Sequence, residues 1–266
     1  MSRLAVALNT DVGEGYGVWR IGDDEALLDH VTAANVACGF HAGDPDILRS
    51  TCVIAAERGV SIGAQVSYRD LAGFGRRFID VPPASLVNDV LYQIGALETF
   101  ARLAGTRVTY VKAHGALYNT AAHHGGQADA IIEAVTLYDP SLPILCQSAT
   151  VLWDKAIEAG VTPYAEAFID RGYADDGTLI SRAHPQALIT DPPQAAERAV
   201  DMVVTGTVDS VTGKRVRVAP ADGSITALCV HSDTPGAALI ADATRSALRD
   251  AGIDVVPITV PRKDVS

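Results

Sequence analysis

The feature that most constrains this chain is an alternation. Short apolar runs and amphipathic stretches follow one another seven or eight times along 266 residues. The apolar runs 4–8, 33–38, 60–64, 108–112, 142–146, 162–168, 224–230 and 253–258 read as strands. Between them, 23–31, 44–58, 82–104, 128–137, 151–159, 192–204 and 237–251 carry helical spacing. In the longest, Leu86, Val90, Ile94, Leu97 and Phe100 fall on one side, and Gly105 closes it. Strands that alternate with helices predict a parallel sheet with helices outside. No low-complexity linker or break in composition divides the chain. At this length the pattern predicts one α/β domain over 1–266, an irregular TIM-like (β/α) barrel of seven or eight parallel strands. Residues 178–190 read as an extended excursion. Residues 207–219, with Thr212-Gly213 at the centre, read as a β-hairpin, and 261–266 as a frayed tail.

Composition removes several function classes. The formal charge is −11 and no Lys/Arg run interrupts it, which argues against a nucleic-acid binder. No apolar stretch approaches the ~20 residues of a membrane helix. Asn9 and Asp11 arrive too early for a signal-peptide core, so a cytoplasmic protein is expected. The four cysteines, Cys38, Cys52, Cys146 and Cys229, are far apart with no C-x-x-C pair. They read as buried thiols of a reducing compartment rather than as a disulfide framework or zinc site.

The strand ends carry the chemistry. Asp11 and Glu14 follow the first strand, His41 and Asp44 the second, and Gln65, Tyr68, Arg69 and Asp70 the third, with Arg76 and Arg77 further on. Lys112, His114, Tyr118 and Asn119 follow the fourth, Asp170 and Arg171 the sixth, His231 and Asp233 the seventh. A closed barrel brings these loops to one face, where carboxylates, imidazoles and cations can shift one another's pKa values and run acid–base chemistry. The stretch NVACGFHAGD shows the pattern most clearly. An apolar run ends, His41 stands between glycines, and Asp44-Pro45 starts a helix. His41-Ala-Gly-Asp44-Pro45 parallels His231-Ser-Asp233-Thr-Pro235, and both predict a helix N-terminus at the pocket, which favours an anion.

Each candidate has a plainer reading. His41, His114 and His231 could be structural histidines bonded to loop carbonyls. His30, His123, His124 and His184 read as surface residues. Arg76 and Arg77 are either a solvated pair or a fork for a substrate carboxylate. Lys112 belongs to a strand that should be buried, where an unpaired ammonium is costly. It must enter a polar pocket or pair with a carboxylate such as Asp11. Other chemistries lack their motifs. The stretch from Gly206 to Lys214 has the wrong spacing for a P-loop, and no G-x-S-x-G or H-E-x-x-H occurs.

The motifs NTDVGEGYGVW, TAANVACGFHAGDP, LAGFGRR, YQIGAL, VKAHGALYN, AFIDRGY, DGTLISR and CVHSDTPGA resemble, in order and over nearly the whole chain, those of the LamB/YcsF family. The resemblance implies an irregular barrel similar to those of glycoside hydrolases and polysaccharide deacetylases. It also implies the A component of an ATP-dependent 5-oxoprolinase, which opens the lactam of 5-oxoproline to glutamate with partner subunits B and C. A homo-oligomer is a further possible assembly. On this reading Asp11, His41, Lys112 and His114 are the catalytic candidates. Glu14, Asp44, Arg76, Arg77, Tyr118, Asn119, Asp170, Arg171, His231 and Asp233 would bind substrate or phosphate. The chain departs from the family at GAQVSYRDL, where GAHPGYPDL is usual, at Ala113 in place of a proline and at Ser232 in place of a glycine. A deacetylase-like metal set would draw on Asp11, His41 and the third-strand position. That position is Gln65 here, and glutamine is a poor ligand for zinc-type metals. Two alternatives stand beside the main reading: a metal-dependent amidohydrolase or deacetylase working without ATP, and a non-catalytic substrate-binding component.

Overall fold

A computed structural model of the chain describes residues 3–221 and 223–260. The expected frayed tail, 261–266, lies outside the described residues. In chain order the elements are β1 (Ala5–Val12), α1 (Asp24–Leu28), β2 (Ala33–Ala37), α2 (Pro45–Glu57), β3 (Ser61–Val66), α3 (Pro83–Leu103), β4 (Val108–Ala113), α4 (Gly115–Ala121), α5 (Gly125–Tyr138) and β5 (Ile144–Cys146). There follow α6 (Val151–Glu158), β6 (Pro163–Phe168), α7 (Pro192–Thr205), β7 (Thr207–Asp209), β8 (Arg215–Arg217), β9 (Ala227–Val230), α8 (Ala237–Asp250) and β10 (Asp254–Val255). The strands β1-β2-β3-β4-β5-β6-β9 run in that order, all parallel, and β9 pairs back onto β1, which closes a barrel. The eighth strand, β10, is a two-residue parallel addition beside the start of β1. β7 and β8 form the expected antiparallel hairpin outside the barrel.

The barrel interior is layered because strand side chains alternate. At the bottom, Ala7, Ala33, Tyr110, Leu145 and Ala227 form a separate apolar plug with Tyr164 and Ile258. Ile258 comes from the segment after β10, and its amide bonds the Ser61 hydroxyl. Gly63 is needed beside Tyr110, because a Cβ there would lie 2.0 Å from the ring. One step up, the inward residues become Asn9, Asn35, Lys112, Glu166 and Cys229, and one further step gives Asp11, Gln65, His114 and His231. The larger core lies outside the strands, against the helices. There α3 buries Leu86, Val90, Ile94 and Leu97, as its spacing predicts.

Three local expectations are corrected. β1 runs on to Val12, so Asp11 lies within the strand rather than in a loop after it. Polar residues are tolerated there because the neighbouring strand satisfies them: Asn9 Nδ2 donates to Leu228 O at 2.9 Å and Thr10 Oγ1 to Val230 O at 2.7 Å. A helix that the sequence pattern does not announce, α4, follows β4 immediately. The parallel between the His41 and His231 segments fails at the helix. Asp44 does cap α2 with Pro45 in its first turn, whereas α8 starts at Ala237 behind Gly236, whose φ is 77°. Neither Asp233 nor Pro235 belongs to α8.

Candidate active site

The carboxyl ends of the strands open on a cavity of about 390 Å³. Among its walls are Asp11, Arg76, Lys112, His114, Tyr118, Asn119, Phe168, Arg171, Arg182 and His231. Lys112 forms its floor and is 3% exposed. Its ammonium lies 2.7 Å from Glu166 Oε1, 3.5 Å from Asp11 Oδ1, 3.3 Å from Asn9 Oδ1 and 3.2 Å from the Cys229 sulfur. The two sequence alternatives for Lys112 are thus both met, a polar pocket and a carboxylate partner. Burial alone would lower the Lys112 pKa, but Asp11, Cys229 and Glu166 around it hold it well above the ordinary lysine value. Burial likewise pushes Asp11 up. Lys112, His231 and His114, with a 2.8 Å bond from Asn35, outweigh that and hold its carboxyl below the usual range. Tyr118 donates to Glu166 Oε2 at 2.9 Å.

His231 forms a second wall. Its Nδ1 lies 3.0 Å and 3.1 Å from the two carboxylate oxygens of Asp170. Asp170 also accepts from the His231 amide at 2.9 Å and the Thr234 hydroxyl at 2.6 Å. Burial would raise the Asp170 carboxyl, but His231 and these bonds hold it below its usual value. A carboxylate with those donors can only accept, so Nδ1 carries the proton and Nε2 is the ring's acceptor. Among the described residues Nε2 has no protein partner. The ring stacks on Phe168 at 5.4 Å.

A third group lies on the other side of the mouth. Glu14, His41 and His114 offer ligand atoms that all fall within 4.8 Å of one another, and the two imidazoles stack at 3.9 Å. Gln65 stands among them. Its Oε1 is 3.2 Å from His41 Nε2, and its Nε2 is 3.2 Å from Glu14 Oε1 and 3.1 Å from His114 Nδ1. His114 Nε2 lies 3.0 Å from Phe74 O, which can only accept, so His114 Nδ1 is a bare acceptor for the Gln65 amide. The three Gln65 contacts are then complementary, while the bare His114 Nδ1 and Glu14 Oε1, 3.3 Å apart, are both acceptors bridged by the Gln65 amide. A carboxylate and two imidazoles are a suitable donor set for a zinc-type ion, and Gln65 stands between them. Burial, with His41 alongside, holds the His114 pKa well below the usual histidine value. Gly75, at φ 66°, packs so closely here that a Cβ would come within 2.4 Å of the Ser67 hydroxyl, 2.9 Å of the His41 Cβ and 3.0 Å of the His114 ring.

The remaining candidates fall elsewhere. His41 is fully buried and does not reach the main cavity. Asp44 is spent on the backbone: Oδ1 caps α2 through Asp46 and Ile47, and Oδ2 accepts from Gly17. Arg77 pairs with Asp70 and points out of the cavity. Arg76 reaches the cavity rim, where Asp233 Oδ2 accepts from it and from Arg182, each at 2.7 Å. Glu166 and Arg182 are not among the sequence candidates. The available signal for Glu166 is an acid inside an otherwise apolar strand. Nothing in spacing singles out Arg182, which stands on the 178–190 excursion. All four cysteines are free and buried, as expected.

A closed parallel barrel with an acid–base cavity at the carboxyl end of its strands defines a (β/α)-barrel enzyme. The model of the LamB/YcsF family matches residues 6–263, and the chain belongs to that family. A protein from Mycolicibacterium paratuberculosis, named as the A subunit of 5-oxoprolinase, is 55% identical over 250 residues, 94% of this chain and 97% of that one. The crystal structure of a lactam utilization protein from Thermus thermophilus superposes with a TM-score of 0.88. It is 41% identical and covers 95% of this chain and 99% of its own. A solved protein from Enterococcus faecalis V583, 11% identical with a TM-score of 0.57 over 97% of this chain and 98% of its own, shares the fold alone. Among the described residues no helix is long and apolar enough to cross a membrane.

Proposed function

We propose that this chain is the A component of an ATP-dependent 5-oxoprolinase. It hydrolyses the lactam of 5-oxo-L-proline to L-glutamate, with ATP going to ADP and phosphate, in a cytoplasmic complex with subunits B and C. The substrate follows the names of the relatives. The chemistry rests on one observation: His231 Nε2, backed by Asp170, opens on the same cavity as the Lys112 ammonium.

Opening a lactam to glutamate is uphill, and ATP couples it by phosphorylating the lactam oxygen. Water then attacks the ring carbon, the C–N bond breaks to leave the γ-acyl phosphate of glutamate, and a second water hydrolyses that to glutamate and phosphate. His231 Nε2 takes the proton from the water and returns it to the departing ring nitrogen. Lys112 is held charged by its carboxylates and offsets the negative charge of the phosphoryl group carried by the lactam oxygen. Asp11 and Glu166 fix its position. Because His114 has both ring nitrogens engaged and His41 is closed off, the proton-transfer role expected of them passes to His231. Co-purified with subunits B and C, the chain should form glutamate from 5-oxoproline and ATP. Full activity with Asp11→Asn would remove Asp11 from the mechanism.

A second reading, a metal-dependent amidohydrolase, is favoured by the close set of Glu14, His41 and His114. These residues would hold a divalent ion, which would supply Lewis-acid polarisation of the carbonyl. One tightly held divalent ion per purified chain would support it.

A further inference from the structure

Three guanidinium groups gather at the cavity mouth, and the one carboxylate in direct contact with them bonds only two. Arg171 is 7% exposed, yet its protein bonds are to backbone carbonyls, Nε to Ala187 O at 3.3 Å and Nη2 to Ile180 O at 2.9 Å. Among the described residues it has no salt bridge, and its Nη1 has no protein partner. A buried guanidinium without a counter-ion is costly. Burial and the nearby Arg182 and Arg76 act against its charge, Asp170 and Tyr173 offset them in part, and the net effect lowers its pKa. Arg76 and Arg182 reach the same cavity and share a single acceptor atom, Asp233 Oδ2. Three guanidinium groups therefore have one carboxylate in direct contact, Asp233, while Asp170, its oxygens bonded to His231 and Thr234, acts on Arg171 only through space.

We propose that Arg76, Arg171 and Arg182 form the subsite for the carboxylate of the substrate, and that Asp233 occupies their charge until substrate displaces it. The inference rests on the cavity being the lactam site. It adds a specificity-determining residue, Arg182, and a competitor, Asp233. The incoming carboxylate supplies the counter-charge that Arg171 lacks, with the planar fork geometry guanidinium groups favour. That orients the ring with its carboxylate at the arginine rim and its amide toward Lys112 and His231. Lactams without a carboxylate lose this anchor.

The test is calorimetric binding of three probes to the full chain: 5-oxo-L-proline, 2-pyrrolidinone (the lactam without carboxylate) and cyclopentanecarboxylate (the carboxylate without lactam). Wild type should bind 5-oxo-L-proline at least tenfold more tightly than 2-pyrrolidinone, about 1.4 kcal/mol. Arg182→Met should remove most of that difference and leave 2-pyrrolidinone unchanged. Asp233→Asn should tighten both carboxylate probes severalfold. The two substitutions break the same bridge, so a merely structural bridge would move affinity in one direction for both, and that result overturns the proposal. Equal binding of the two lactams also overturns it, including the case where inorganic phosphate alone competes, which would make the rim a phosphate site. If the complex turns over no lactam while cyclopentanecarboxylate still binds in an Arg182-dependent way, the activity assignment fails and the carboxylate subsite stands.

Discussion

The two sides of the barrel mouth are built from the same residue types and do opposite things with them. On one side Gln65 bridges Glu14, His41 and His114, His41 is fully buried with its Nδ1 unpartnered among the described residues, and only the edge of His114 reaches the cavity. On the other, Asp170 uses one nitrogen of His231 and leaves the second open, while Asp11 and Glu166 keep Lys112 charged beneath a space about 390 Å³ in volume. His114, with both nitrogens bonded, is a structural part, and His41, bonded through one nitrogen, is buried away from the cavity. A histidine held by one nitrogen and open to the cavity is an oriented base. Residue identity does not separate these cases; partner count together with access to the cavity does.

Substitutions on the two sides should therefore separate. His231→Gln should cost the complex on the order of 10³ in kcat, the middle of the range for a lost general base, with little change in stability. Lys112→Met should also abolish most activity. Because it leaves Asp11 and Glu166 buried without their cation, it should destabilise the fold by about 3–5 kcal/mol in denaturant unfolding. Adding Glu166→Gln should restore part of that stability and none of the activity. A double variant as unstable as the single one would show that Lys112 is not balancing Glu166. On the closed side, Gln65→Ala should cost about 1–3 kcal/mol of stability, because buried polar groups are left unpaired, while kcat stays within about tenfold. A larger rate loss would move the chemistry to the closed side. The smallest effect belongs to neither. Asp24 accepts from the Gly13 amide at 2.8 Å behind the closed cluster, and burial raises its pKa to about 6. Its folded pKa lies above the unfolded one, so the folded protein binds the extra proton. Stability should fall as pH rises from about 4 to 6 and then level off. Asp24→Asn should flatten that slope and gain about 1–2 kcal/mol at pH 7 in thermal unfolding.

The barrel is legible in the sequence because its signal is local. Strand and helix periods survive there, and short βα connections admit few topologies. The strand-end rule also finds most of the cavity, since eight candidates, from Asp11 to His231, do line it. What stays hidden is pairwise. That Asp44 is spent on capping α2, and that Arg77 turns to Asp70, depends on neighbours no spacing reveals. Glu166 is concealed because its strand reads as apolar core, and its meaning comes from Lys112 on β4 across the barrel interior. Gln65 is visible as a departure from the family pattern, but its bridging of two histidines needs the register of β2, β3 and β4.

The central claim is that the open side carries the chemistry, and one comparison tests it most directly. Glutamate formation from 5-oxoproline and ATP is measured for the complex carrying His231→Gln and for the complex carrying Gln65→Ala, each saturated with substrate. The account predicts near-complete loss in the first and retention within about tenfold in the second. The reverse order, with His231→Gln active and Gln65→Ala dead, would contradict it.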